Sequence, residues 1–248
     1  MEFVERFIDA DGERLRLLEA GAGAPLIVLA DTVTGEPGLA ETILALTFRV
    51  IVVGAPAGPP QRASATLAAV IDTLDAAPAA VLASSLAAPL VLWLAIERAE
   101  LIRTIVLESP LAFSPHAATL AARSDGGWRH DFNAHAERKS MATAPSIAAI
   151  RALAKERLGP AQDEIFAGKL AAFDSPVLAL FGTRDPLAPV ELGRVYKNLF
   201  PNAYCLMVYD AAHDIRGDRP EAFAEAVGDF LRRGAQFTVG ERSARLHR

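Results

Sequence analysis

Cysteine is nearly absent: Cys205 stands alone in 248 residues. An internal disulfide is therefore impossible, and no zinc site of paired thiolates can be built. Excess positive charge is also missing. Lys and Arg number 25 against 30 Asp and Glu, for a net charge of -5, so there is no basic surface for a nucleic-acid backbone. The opening residues, Met1-Glu2-Phe3-Val4-Glu5-Arg6, lack the apolar core of a secretion signal, and the expected location is cytoplasmic. Internal repeats and low-complexity linkers are missing too. What the chain does have is apolar residues, 52% of the total against 22% charged. That supports one well-packed domain with a modest insertion.

The uncharged stretch from Ala76 to Ile96 has the length of a membrane span. Pro78 and Pro89 interrupt it and Ser84-Ser85 lie near its middle, so it reads as a buried strand, a tight turn and a buried helix. No membrane association is expected. Short apolar runs alternate with helical patterns elsewhere, the signature of a mostly parallel sheet wrapped by helices. Residues 2–8 and 13–19 form a hairpin through Asp11-Gly12. Further strands are expected at 26–30, 48–53, 80–83, 102–107, 177–181 and 204–209. Helices are expected at about 37–46, 65–76, 86–98, 189–199 and 219–233, the last capped by Asp218 with Pro220 in its first turn. Between Pro110 and Pro176 only Ala-rich helical stretches such as 147–158 appear. The expected organisation is a core of residues 1–110 and 173–235, a helical cap over 111–172, and a frayed tail from 236 to 248.

The most informative segment is Ala80-Val81-Leu82-Ala83-Ser84-Ser85-Leu86-Ala87-Ala88-Pro89. A strand runs directly into a helix with Ser85 at the junction and small residues on both sides, where the two backbones pass closely. Such a turn strains the serine and exposes its hydroxyl near the helix N-terminus, where the Leu86 amide faces developing negative charge. A simpler reading is a serine that caps the helix. In this segment the chain resembles the α/β-hydrolase family, whose nucleophile elbow is usually Gly-x-Ser-x-Gly. Here it is Ala83-Ser84-Ser85-Leu86-Ala87, each Gly→Ala change adding one methyl group.

A nucleophilic serine needs a base, and the base needs an acid to orient it. Of the histidines at 116, 130, 135, 213 and 247, only His213 sits in a loop after an expected sheet strand. Asp185, in Gly182-Thr183-Arg184-Asp185-Pro186, falls at the carboxyl edge of the seventh strand, where parallel sheets bind ligands. Ser85, Asp185 and His213 follow in the chain order of the family, and Gly-x-x-Asp-Pro before such a histidine is typical of it. Taken singly, Asp185 is also a turn aspartate and His213 a backbone-bonded loop histidine. Glu108, at the end of the sixth strand, is an alternative acid, since some family members carry theirs there. Asp210 and Asp214 read as solvent or cap contacts.

The family usually has His-Gly after the third strand, where this chain has Ala30-Asp31. The resemblance makes the Thr32 amide the second oxyanion donor, beside that of Leu86. Asp31 either turns away toward the loop amides near Thr34 and Gly35 or opposes the charge the hole should stabilise. After the fourth strand Gly54-Ala55-Pro56-Ala57-Gly58-Pro59-Pro60 replaces a loop that commonly holds an aspartate. Asp31, His116 and Trp128 are the candidate pocket residues. His130 and His135 match no familiar metal-ligand spacing. Cys205 and Trp93 read as core, and Gly21-Ala22-Gly23 opens no helix and so is no nucleotide fingerprint.

The resemblance implies an eight-stranded, mostly parallel α/β-hydrolase fold with a helical cap. Its expected activity is serine-triad cleavage of an ester or related acyl bond in a small hydrophobic substrate, with no cofactor and no metal. The expected partner is that small-molecule acyl substrate, on a monomer or homodimer. Two readings stand beside it. One is cofactor-free oxygenase, lyase or C–C hydrolase chemistry on the same fold; the other is a catalytically degenerate binding protein.

Overall fold

Continuous apolar runs must be covered on both faces, and the computed structural model, which describes residues 2–30, 36–114, 152, 154–158 and 164–237, covers them so. The strands are β1 (Val4–Ala10), β2 (Glu13–Ala20), β3 (Pro25–Ala30), β4 (Arg49–Gly54), β5 (Ala79–Ser84), β6 (Ile102–Glu108), β7 (Val177–Gly182) and β8 (Ala203–Val208). They form one sheet in the order β1-β2-β4-β3-β5-β6-β7-β8. β2 pairs antiparallel with β1 and β4, and every other neighbouring pair is parallel. Asp11 (φ +49°) and Gly12 (φ +75°) close the expected hairpin, with Ala10 opposite Glu13. Two left-handed residues in a two-residue loop match the twist of the strands they join.

The helices are α1 (Leu39–Leu44), α2 (Pro60–Thr73), α3 (Ala88–Glu97), α4 (Glu164–Leu170), α5 (Leu192–Leu199), α6 (Ile215–Asp218) and α7 (Pro220–Arg233). Side chains alternate between the two sheet faces. Ile27, Leu29, Val81 and Ala83 join α2, α3, α4 and α5 in one buried cluster. Leu26, Val28, Ala80 and Leu82 join α1 and α7 in the other. The apolar stretch from Ala76 to Ile96 resolves into β5, a short turn and α3, and among the described residues no helix is long and apolar enough to cross a membrane.

Several boundaries differ from expectation. α2 starts at Pro60, well before 65, because Pro59 and Pro60 occupy the N-cap and first helical position, where a missing N–H costs nothing. α1 is confined to Leu39–Leu44, and Arg219 rather than Asp218 is the N-cap of α7. Beyond α7, Gly234–Gln236 form a 3₁₀ turn, and Phe237, 3% exposed, packs on Phe230 and Tyr204 at 5.4 and 5.5 Å; of the tail expected from 236 to 248 only these first two residues are described. Trp93 is half-buried, tilted against Phe166 of α4 at 5.0 Å. Most of the 111–172 insertion lies outside the described residues; its described parts contain helix and no strand.

Gly21 (φ +82°) lies so close to α1's end that an added Cβ would fall 2.2 Å from the Phe48 carbonyl oxygen and 2.3 Å from that of Ala45. Gly21→Ala is expected to destabilise the fold by at least about 2 kcal/mol in urea unfolding, from left-handed strain plus a backbone collision. Gly54→Ala, where an added Cβ meets nothing within 4 Å, is the control and is expected to stay near wild type.

Candidate active site

β5 ends between β3 and β6, at the centre of the parallel part of the sheet. Ser84 is still extended there, at φ -108° and ψ 150°, and the next residue, Ser85, turns to φ +52°. That single left-handed residue converts strand into a 3₁₀ turn, Ser85–Ala87, which runs on into α3. Ala83 and Ala87 flank it with no exposed surface, so the small side chains in the sequence stand where the backbones are closest. The Ser85 carbonyl accepts the Leu111 N–H at 3.3 Å, fixing the turn to the segment after β6. The cap alternative for Ser85 is not what the geometry gives: its hydroxyl bonds a histidine.

His213 Nε2 lies 2.8 Å from Ser85 Oγ, and His213 Nδ1 lies 2.9 Å from Asp185 Oδ2. With a carboxylate at Nδ1, that nitrogen carries the ring proton and Nε2 is left to accept the serine O–H. All three residues are buried: Ser85 is 2% exposed, His213 3% and Asp185 5%. Asp185 Oδ1 accepts the amides of Leu187 (2.8 Å) and Ala188 (3.0 Å), so its own loop aims Oδ2 at the imidazole. The arrangement places a hydroxyl, an imidazole acceptor and an orienting carboxylate in one line.

Backbone bonds hold the two loops together. The Thr183 N–H donates to Val208 O at 3.1 Å and the Arg184 N–H to Ala211 O at 2.9 Å. Asp218 Oδ2 accepts the Ala212 N–H at 2.9 Å, bracing the residue before His213 instead of capping α7. Asp214 caps α6 through the Gly217 N–H, and Asp210 pairs with Arg184. Gly182 is the contact point: a Cβ there would lie 2.2 Å from Ala212 O and 2.4 Å from Ala211 O. The Gly of Gly-x-x-Asp-Pro therefore has a steric reason that its spacing did not reveal.

Glu108 does not reach the imidazole's proton as the alternative acid would. Its Oε1 accepts the Arg216 N–H at 2.8 Å and its Oε2 faces Arg216 Nε at 3.2 Å. Burial pushes its carboxyl up to about 7; Arg216 opposes this, and Asp214 and Glu41 add to it. The Cys205 thiol donates to Gly193 O at 3.1 Å and is pushed up to about 11 by burial, so it is poorly suited to nucleophilic work. Arg157, 3% exposed, donates to the carbonyls of Leu86 (3.4 Å) and Pro56 (3.0 Å), tying the insertion to the elbow. Nothing in the local sequence marks either Arg157 or Arg216 as part of this site. Asp31, Thr32, His116, Trp128, His130 and His135 lie outside the described residues. Among the described residues no His, Cys, Asp or Glu group gathers as a metal site.

Residues 158–240 match the family described as TAP-like protein. No curated protein matches the chain in sequence. Several solved structures resemble it over nearly its whole length. A serine hydrolase involved in carbazole degradation is 19% identical at TM-score 0.67, covering 93% of this chain and 99% of its own. A meta-cleavage product hydrolase from Pseudomonas fluorescens IP01 is 14% identical at TM-score 0.71, covering 92% and 97%. A thermophilic esterase from Thermogutta terrifontis is 17% identical at TM-score 0.67, covering 92% and 98%.

Two outcomes test the geometry. Gly182→Ala is expected to leave a folded protein whose reactivity at Ser85 toward a fluorophosphonate falls by roughly a hundredfold, because the histidine loop must shift about an ångström. The second concerns Glu108. A carboxyl at about 7 in the fold, against 4.5 ordinarily, contributes stability that is complete below pH 4.5 and is lost as pH rises through 7. The stability of wild type relative to Glu108→Gln is expected to fall by about 3 kcal/mol between about pH 4 and pH 8 in chemical unfolding.

Proposed function

From the premise that the chain has the α/β-hydrolase fold, we propose that it is a serine hydrolase cleaving an ester or related acyl bond through an acyl-enzyme. The observation that carries this reading is the buried hydrogen-bonded line from Ser85 through His213 to Asp185 at the sheet's carboxyl edge. A hydroxyl in ordinary water is too weakly acidic to attack a carbonyl. Here Nε2 takes its proton as the Oγ–C bond forms, and Asp185 stabilises the resulting imidazolium. The negative charge on the tetrahedral oxygen is received by the Leu86 amide at the start of the 3₁₀ turn, with the Thr32 amide as its partner. The imidazolium then gives its proton to the leaving oxygen as the C–O bond breaks. Water repeats the sequence and releases the acid and free Ser85. These steps draw only on side chains, amides and water.

An Ala-rich insertion between β6 and β7 suits a small or medium hydrophobic acyl group. The relatives include an esterase and a meta-cleavage product hydrolase, so the bond class is the open variable and ester is the default.

A fluorophosphonate is expected to label Ser85 stoichiometrically in wild type and not in Ser85→Ala or His213→Ala. On chromogenic esters of graded chain length, Asp185→Asn is expected to lower kcat about a thousandfold and Glu108→Gln about tenfold. The reverse ranking overturns the acid assignment. A folded protein that takes no label overturns the enzyme reading in favour of a binding protein, and labelling without ester turnover moves the bond to another acyl or C–C substrate.

A further inference from the structure

Behind the serine and histidine lies a second polar group that the proposed reaction does not consume. Arg216, three residues after His213, donates from Nη2 to Ser84 Oγ at 2.7 Å, and Ser84 immediately precedes Ser85. The same guanidinium pairs with Glu41 of α1 at 3.0 Å through Nη1 and with Glu108 of β6 at 3.2 Å through Nε. The Arg216 backbone N–H adds a bond to Glu108 at 2.8 Å. Glu108 is itself the sheet neighbour of Ser84, and Glu41 is held by the Gly38 N–H at 2.8 Å. Glu41, Ser84 and Glu108 are 4%, 6% and 1% exposed.

We propose that Arg216, with Ser84 as its acceptor and Glu108 and Glu41 as its anchors, is a positioning residue that sets the distance between Ser85 and His213. The inference rests on the serine-hydrolase reading for its kinetic consequence, though not for its geometry. The elbow and the histidine segment are bridged twice: in front by Ser85 to His213 and behind by Ser84 to Arg216. The Asp185 bond and the Arg184–Ala211 and Asp218–Ala212 contacts hold the histidine loop to its own surroundings; the Ser84–Arg216 bond adds a constraint that ties it to the elbow itself. Guanidinium suits the task because its planar fork reaches three acceptors on three different elements, where an ammonium reaches as a point charge. Burial makes each bond costly to leave unmade, so the group is held rather than merely present.

The test uses Ser84→Ala, Arg216→Met and Arg216→Lys in the full chain, with melting temperature recorded for each. Ser84→Ala removes one oxygen and little volume. It is expected to lower kcat on p-nitrophenyl butyrate, and the fluorophosphonate labelling rate, roughly tenfold with KM within about twofold. Arg216→Met is expected to lose roughly a hundredfold, and Arg216→Lys to recover part of it. The hydrogen-bonded Nδ1 proton of His213, followed by NMR, is expected to be sharp in wild type and broadened by faster solvent exchange in Ser84→Ala and Arg216→Met. Wild-type rates and an unchanged resonance in folded Ser84→Ala overturn the proposal, and that variant decides alone where Arg216→Met fails to fold. A wild-type protein that neither labels nor turns over ester overturns the serine-hydrolase reading instead; the imidazole resonance then still decides whether Arg216 positions His213.

Discussion

One left-handed backbone conformation, at Ser85, organises this molecule. Left to itself, a serine at φ +52° costs roughly 1–2 kcal/mol relative to an ordinary strand or helix residue. The cost is tolerated because the surroundings leave no alternative. Ala83 and Ala87 are fully buried, Leu111 bonds the Ser85 carbonyl, and His213 bonds its hydroxyl. β5 is central in the parallel part of the sheet, so the turn is surrounded by other strand ends rather than by solvent. Relaxing Ser85 would detach α3 from β5 and open the buried cluster that α3 shares with α2, α4 and α5.

The partners of Ser85 come from far along the chain, 128 residues away in the case of His213. Their meeting depends on parallel register, which carries Gly182 of β7 and Val208 of β8 to the same edge as paired neighbours. From those two residues onward the loops stay in contact through Thr183–Val208 and Arg184–Ala211 backbone bonds. Precision at the imidazole is thus inherited from sheet pairing and extended by backbone hydrogen bonds. Only a residue without Cβ allows the loops to approach this closely, which is why Gly182 matters as much to the geometry as the side chains it brings together.

Much of this was legible in the sequence, for a physical reason. Strands buried on both faces have no polar alternation, so runs such as Leu26-Ile27-Val28-Leu29 announce themselves and their order fixes which loops share an edge. Ser85, Asp185 and His213 follow from that edge together with residue type. What stayed hidden is whatever depends on a side chain meeting a distant one. Arg216 reaches Ser84 across 132 positions, and nothing in its local sequence separates it from a surface arginine. Asp218 looked like a cap because it precedes Pro220, yet its carboxylate turns back to Ala212. Phe237 sits beside a charged tail that reads as solvent, and only the Phe230–Tyr204 pocket explains why it is buried. The start of α2 lies earlier than expected because Pro59-Pro60 stand in for a side-chain cap.

Glu108 and Asp185 show how far position alone can mislead. Both are buried carboxylates at the ends of adjacent parallel strands, and either could serve as acid by placement. Their donors separate them. Asp185 is turned by two amides of its own loop, which occupy Oδ1 and leave Oδ2 directed at the imidazole. Glu108 Oε1 accepts the Arg216 N–H and its Oε2 is paired with Arg216 Nε, so rotating it toward His213 would break both contacts and leave a buried carboxyl without its donor. A carboxylate can orient a base only if its own orientation is set by something other than the base. Asp185 meets that condition through rigid backbone. Glu108 is oriented by a residue of the histidine segment itself, which suits it to anchoring that segment and unsuits it to serving as an independent reference for the ring.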